Sequence, residues 1–202
     1  MKKLLTLLLA FSIMPAFADM SGNVAYTSDY MWRGQSQSLG GGAFQAGVEL
    51  DYEGFFVGAW ASEVDFGDDS ASLEYDLYGG YNFQVSDKLS MSVGVIQYRW
   101  DDNDMEMAEE AFAHFSTRLV DFQYAVDTDN SDNDYMELRL KAPFVDVVGV
   151  EFVYGRFPDD STWKGLNLSK SWDKVDLGLM IMEDAKDGQF SDNVSLTLAY
   201  KL

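Results

Sequence analysis

Phe44-Gln45-Ala46-Gly47-Val48-Glu49-Leu50-Asp51-Tyr52 decides the fold, because every even position is apolar or aromatic and every odd one is polar or glycine. Period-two alternation is the mark of a strand with one greasy and one wet face. Glu53-Gly54 follows as a short connection, and Phe55-Phe56-Val57-Gly58 opens the next run. Leu73-Glu74-Tyr75-Asp76-Leu77-Tyr78-Gly79-Gly80-Tyr81-Asn82-Phe83 repeats the pattern. So does the last segment, with Val194, Leu196, Leu198, Tyr200 and Leu202 on one face and Asn193, Ser195, Thr197, Ala199 and Lys201 on the other. Twelve strands are predicted, beginning near residues 23, 43, 55, 72, 89, 109, 119, 134, 147, 163, 174 and 193.

The connections alternate too. Those after even-numbered strands are short: Glu53-Gly54, residues 85–88, about Arg118, residues 142–146 around Pro143, and Trp172-Asp173. Those after odd-numbered strands are longer and acidic. They carry Asp65, Asp68 and Asp69; Asp101, Asp102, Asp104, Glu106, Glu109 and Glu110; Asp127, Asp129, Asp132 and Asp134; Asp159 and Asp160; and Glu183, Asp184, Asp187 and Asp192. Only the first long loop, residues 35–42, is uncharged. Short turns and both termini at one rim, with long loops at the other, are the pattern of an outer-membrane barrel. The expectation is an all-β fold, a transmembrane antiparallel up-and-down β-barrel of about 12 strands. Aromatics sort to both strand ends, as interfacial girdles do. Tyr30, Trp32, Tyr75, Tyr98, Trp100, Tyr154 and Trp163 are expected at the long-loop rim, and Tyr52, Phe55, Tyr81, Phe83, Trp172 and Tyr200 at the short-turn rim. A soluble sandwich or lipocalin-like barrel gives no reason for loop length to alternate.

Composition narrows the function classes. In 202 residues, 47% are apolar and 15% aromatic, with 17 glycines and 3 prolines, which excludes a disordered or collagen-like chain. Acidic residues outnumber basic ones 34 to 14, a net charge of −20, and nucleic acid is excluded as a partner because phosphate binding needs a basic surface. Lys2 and Lys3, the apolar residues 4–13 and Ala16-Phe17-Ala18 read as a signal peptide over residues 1–18, leaving 19–202 as the barrel domain. The chain has no cysteine, so neither a disulfide nor a thiolate metal site is available.

Candidate chemistry is sparse. His114 is the only histidine, so a lipid-modifying barrel enzyme would have to act through it, with Ser116 on the same face. No G-x-S-x-G, H-E-x-x-H or glycine-rich phosphate loop occurs, so no catalytic residue is assigned and no cofactor is called for. Asp102, Asp104 and Glu106, and likewise Asp127 and Asp129, space oxygens as a calcium loop begins, but the required glycine and twelfth-position glutamate are missing. They remain candidates for loose divalent contact shared with lipopolysaccharide phosphates. With the greasy face outward, Asp29, Arg33, Glu49, Asp51, Glu74, Asp76, Glu137, Arg139, Lys141 and Lys201 are expected to line the lumen. Carboxylates from one side would then face the bases of the eighth strand across it. Twelve strands lie between filled eight-stranded barrels and wide porins, so a narrow channel fits.

Asn23-Val24, Thr27-Ser28-Asp29-Tyr30, Arg33-Gly34 and Ser36-Gln37 resemble the opening of the TorF family of outer-membrane porins. Gly54-Phe55-Phe56-Val57-Gly58 with Trp60, Ser62 and Val64 resembles that family's second hairpin, and Tyr75-Asp76, Tyr78, Gly79-Gly80-Tyr81, Gly94 and Tyr98 continue it. The resemblance is specific over about residues 22–100 and implies a porin; it supplies no catalytic or ligand residues. The closing strand resembles the outer-membrane assembly signal, although it ends in Leu202 rather than an aromatic. Together these readings predict passive diffusion of small polar solutes or ions through a narrow, partly acidic lumen in the bacterial outer membrane. The expected partners are membrane lipid, lipopolysaccharide, the barrel assembly machinery and the solutes themselves. The alternatives are a non-conducting structural or adhesive barrel and the His114 enzyme.

Overall fold

A computed structural model describes residues 19–67, 71–102, 108–130, 133–142, 147–186 and 189–202, with 184–186 and 189–192 described by their backbone. The expected leader and Asp68, Asp69, Asp104, Glu106, Asp132 and Asp187 lie outside the described residues. Twelve strands form one closed antiparallel barrel: β1 (Asp19–Thr27), β4 (Ala43–Tyr52), β5 (Phe55–Glu63), β6 (Leu73–Ser86), β7 (Leu89–Trp100), β8 (Ala108–Ser116), β9 (Val120–Asp127), β10 (Tyr135–Lys141), β11 (Gly149–Arg156), β12 (Thr162–Trp172), β13 (Val175–Lys186) and β14 (Gln189–Lys201). Two short strands, β2 (Met31–Trp32) and β3 (Gln35–Ser36), form a separate hairpin. Chain neighbours are sheet neighbours throughout, and closure comes from β1 pairing with both β4 and β14, with Thr27 opposite Ala43 on one side and Thr197 on the other. The closed sheet satisfies every ladder position without leaving an edge.

The alternation resolves into two faces as expected, with an inversion of the soluble pattern. Val24, Phe44, Val57, Val95, Phe152, Leu196 and Leu198 are exposed on the outside, whereas Thr27, Ser62, Glu74, Asp76, Glu137 and Ser195 are buried inside. Exposed aliphatics with buried carboxylates suit a barrel whose outer solvent is hydrocarbon. Glu53 and Gly54, with φ of 50° and 90°, make the two-residue turn between β4 and β5. Such turns need positive φ at both central residues and match the strand twist. The β12–β13 turn is Asp173-Lys174 rather than Trp172-Asp173, because Trp172 still pairs with Val175.

Several residues expected at the long-loop end belong elsewhere. Glu109 and Glu110 are in β8, Asp127 is in β9 and Glu183 is in β13, because the ladders run further toward that end than charge alone indicates. The expected upper girdle also divides. Tyr75 and Tyr154 are exposed on the outside, but Tyr30, Tyr98 and Trp163 are buried inside, and Trp32 and Trp100 pack around the buried Tyr30. Tyr26 and Phe44, with rings 5.0 Å apart, take outward places near that rim. At the short-turn rim Tyr52, Phe55, Phe83, Trp172 and Tyr200 are exposed as expected, while Tyr81 is half-buried with its ring 4.7 Å from those of Phe55 and Phe83.

A hairpin across the candidate lumen

The inward-turned aromatics exist because residues 28–42 fold into the barrel instead of away from it. The base of this segment is tied to the wall by short polar side chains: Ser195 Oγ donates to the Asp29 carbonyl (2.6 Å), as does Thr27 Oγ1 (2.9 Å). The Asp29 carboxylate accepts from Ser36 Oγ (2.6 Å) and Ser38 Oγ (3.1 Å), and the Tyr30 amide donates to Ser38 Oγ (2.8 Å). Asp29 thus satisfies the returning strand of its own loop. A segment with so few charges and so many hydroxyls and aromatics loses little by leaving water.

The tip is Arg33-Gly34, with φ of 49° and 85° between the pairs Trp32–Gln35 and Met31–Ser36. Gly34 is required twice over, since its φ favours glycine and a Cβ there would stand 2.6 Å from Trp163 Cβ. Arg33 holds φ > 0 at some cost, and its side chain supplies the compensation. Its guanidinium forks onto Glu110 in β8 with two bonds of 2.6 Å, between the rings of Trp32 (4.3 Å) and Tyr135 (4.1 Å). Tyr98 also donates to Glu110 (3.1 Å), Tyr135 donates to Glu137 (2.6 Å), and Trp163 Nε1 donates to the Tyr135 hydroxyl (2.9 Å). Both partners of the ion pair are almost wholly buried, so desolvation is offset by bidentate geometry and by cation–π contact on both faces.

The hairpin divides the interior. On one side lies a chamber of about 560 Å³ lined by Gln45, Trp60, Gln123, Arg139, Asn167 and Ser169, which shares Trp60 and Asp176 with a second space bordered by Glu49, Tyr78 and Lys201. Toward the long loops lies a chamber of about 320 Å³ bordered by Trp32, Glu74, Tyr98, Trp100, Glu110 and Phe157. Trp32, Arg33 and Tyr98 border both.

The expected lumen residues are not arranged as one field across an open bore. Arg33 is at the hairpin tip and Asp29 at its base, not on β1, because β1 ends at Thr27. On β10, Arg139 Nε bonds Glu137 (2.6 Å) and its Nη1 lies 3.5 Å from Glu151 of β11, while Lys141 bonds Asp121 of β9 (2.7 Å). The bases are engaged on their own wall rather than facing carboxylates across the lumen. Glu49, Asp51, Glu74 and Asp76 occupy alternate positions of β4 and β6 and have no cation partner among the described residues. Lys201 pairs with Asp176 (2.9 Å) near the short-turn end.

Other candidates separate. His114 lies opposite Ser92 and Gln123, and Ser116 Oγ donates to Asp121 (2.6 Å), so the serine proton is directed away from the imidazole. Asp127 accepts from the amides of Asp129 and Asn130 and from Asn133 Nδ2, each at 2.9 Å, and so caps its own turn. No group of three or more metal-ligating side chains occurs among the described residues. Tyr98, Glu110, Tyr135 and Trp163 form the docking surface for the hairpin, a role absent from the sequence reading. The available signal was a single arginine followed by glycine just ahead of residues 35–42, the one long-loop stretch without charge.

Residues 15–150 match the family described as a bacterial protein of unknown function, Gcw_chp. The chain belongs to that family. No curated protein matches it. Among solved structures, this Gcw_chp chain is similar to the KdgM porin at TM-score 0.62 and 10% identity, covering 89% of this chain and 98% of that one. It is similar to the NanC porin at TM-score 0.56 and 8% identity, covering 91% and 100%. The COG4313 outer membrane channel from Pseudomonas putida F1 aligns at TM-score 0.51 and 13% identity, covering 93% and 96%. At these identities what is shared is the fold, a closed twelve-strand antiparallel barrel.

Proposed function

We propose that this Gcw_chp chain is an outer-membrane channel for passive diffusion of small polar solutes or ions, constricted by the residue 28–42 hairpin and carrying out no reaction. The observation that supports this reading best is the interior itself, with chambers of several hundred Å³ lined by polar side chains on both sides of one latched hairpin. In this reading Glu49, Asp51, Glu74, Asp76, Glu137, Arg139, Lys141 and Lys201 line the pore, with Asp29 and Arg33 in the constriction. The TorF resemblance, the leader over residues 1–18 and the porin folds of KdgM and NanC support an outer-membrane setting. The long loops then meet lipopolysaccharide and the short turns meet the periplasm. The last strand would be read by the barrel assembly machinery. A KdgM structure is described as a complex with disordered oligogalacturonate, an acidic sugar. The unpaired β4–β6 carboxylates favour the opposite charge here.

The test is single-channel conductance of the refolded protein in a planar bilayer under a salt gradient. Discrete steps with a cation-selective reversal potential are expected. The buried Arg33–Glu110 latch favours a second reading, a non-conducting structural barrel, and a folded, heat-modifiable but silent protein would establish it in place of the channel.

A further inference from the structure

The chamber between the hairpin and the long loops holds two polar groups left incomplete. Glu74 is 96% buried, given 4% exposure, and its Oε2 is enclosed with no hydrogen-bond partner among the described residues. Trp100 is its cross-strand neighbour, and the indole Nε1–H is likewise enclosed and without an acceptor among the described residues. Both residues border the same chamber of about 320 Å³. An enclosed carboxylate oxygen and an enclosed indole N–H each cost free energy when unpaired.

The neighbouring charges do not complete them. Arg33 is the cation bordering this chamber, and both of its terminal nitrogens are taken by Glu110. The Asp127 carboxylate is occupied by the amides and the Asn133 side chain of its turn. Asp76, on the same face of β6 two residues along, adds a second buried carboxylate and no cation. The remaining surface combines the rings of Trp32, Tyr98 and Phe157, beside Trp100, with the neutral amides of Gln35, Gln37 and Asn133. Aromatic faces around a carboxylate attract an organic cation, and two buried carboxylates repel an anion.

We propose that this chamber is a binding site for a small organic cation, an ammonium compound that also carries a hydroxyl or carbonyl oxygen. The ammonium group lies against Glu74 and the surrounding rings, and the oxygen accepts from Trp100 Nε1. A volume near the lower end of the ~300–1,000 Å³ typical of small-molecule sites restricts the solute to a few heavy atoms. The inference deepens the channel reading by naming its solute class, and rests on that reading for how the solute reaches the chamber.

Calorimetric titration of the refolded full barrel with choline chloride tests it, beside tetramethylammonium, glucose and galacturonate, with folding checked by heat-modifiable gel mobility. Choline is expected to bind saturably and glucose and galacturonate not to. Glu74→Gln should weaken choline binding by about tenfold or more, from loss of a charge-assisted contact and the cation's counter-charge. Trp100→Phe, which keeps a ring and removes the N–H, should weaken choline about threefold or more and leave tetramethylammonium unchanged. Asp87→Asn, at the short-turn end, should leave both as in the parent. Absence of saturable choline binding by a folded, conducting barrel overturns the site and leaves the channel. Equal binding of choline and glucose, or choline binding undiminished in folded Glu74→Gln, overturns the cation chemistry. Choline binding to a folded but silent barrel upholds the site while the channel reading falls.

Discussion

The two walls of the interior hold similar carboxylates under different conditions. On β9, β10 and β11, Asp121, Glu137 and Glu151 stand beside Arg139 and Lys141, and these charges are consumed in local bonds. On β4 and β6, Glu49, Asp51, Glu74 and Asp76 have no described cation, and two of them are buried with oxygens left unbonded. Paired charges fix side chains and project little field; unpaired ones leave a net potential that a mobile cation can lower. The first wall is built to hold the hairpin, since Glu137 orients Tyr135 and Tyr135 stacks on Arg33. The second, in the proposed channel, faces the solutes that pass it.

Three comparisons break or sharpen this contrast. The largest effect is expected at Arg33→Met, which leaves Glu110 buried without its counter-charge at a cost of about 3–5 kcal/mol. Hydrogen exchange at Tyr30 to Ser38 should accelerate and single-channel conductance should rise, and the double change with Glu110→Met should cost less than Arg33→Met alone. Unchanged exchange protection would mean that the paired wall does not anchor the hairpin. Next is Leu196→Arg, on the outer face, where an arginine near the bilayer midplane costs about 2–4 kcal/mol; a polar change at the inward Thr197 should cost less. Equal losses in reversible unfolding would remove the assignment of faces on which both walls depend. The smallest separates the walls directly. Lys141→Met strands Asp121 and should destabilise by about 1–3 kcal/mol, whereas Asp76→Asn loses no partner and should leave stability unchanged or slightly raised. Asp76→Asn should also lower the cation preference, and the preference should fade for the parent protein as salt is raised. A stability loss at Asp76 equal to that at Lys141 would erase the distinction.

The strands, their order and their faces were legible because period-two alternation is written in neighbouring residues, and the observed strand starts lie within four residues of those expected. The hairpin was not legible because its contacts are distant in sequence. Arg33 and Glu110 are 77 residues apart, and Trp163, which fixes Gly34, is further still. β8 hid Glu110 for a local reason. In Ala108-Glu109-Glu110-Ala111-Phe112-Ala113, two adjacent carboxylates and an inward Phe112 blur which face is wet, so Glu110 reads as part of an acidic loop. The residue types proposed for the lumen came from alternation on β4, β6 and β10, while their pairing states depend on neighbouring strands that a single run cannot reveal.

The span of the hairpin has a mechanical consequence. Residues 28–42 are fastened at one end to β14 through Ser195 and at the other to β8 through Glu110, with Trp163 of β12 against the tip. A twelve-strand cylinder deforms most easily by ovalising, since changing the angle between neighbouring strands leaves the ladders intact. A strut fastened to opposing staves resists that deformation, so releasing the tip softens the whole cylinder and, in the proposed channel, frees the passage in one event. On that proposal the barrel's stiffness and its permeability are two readings of the same bond.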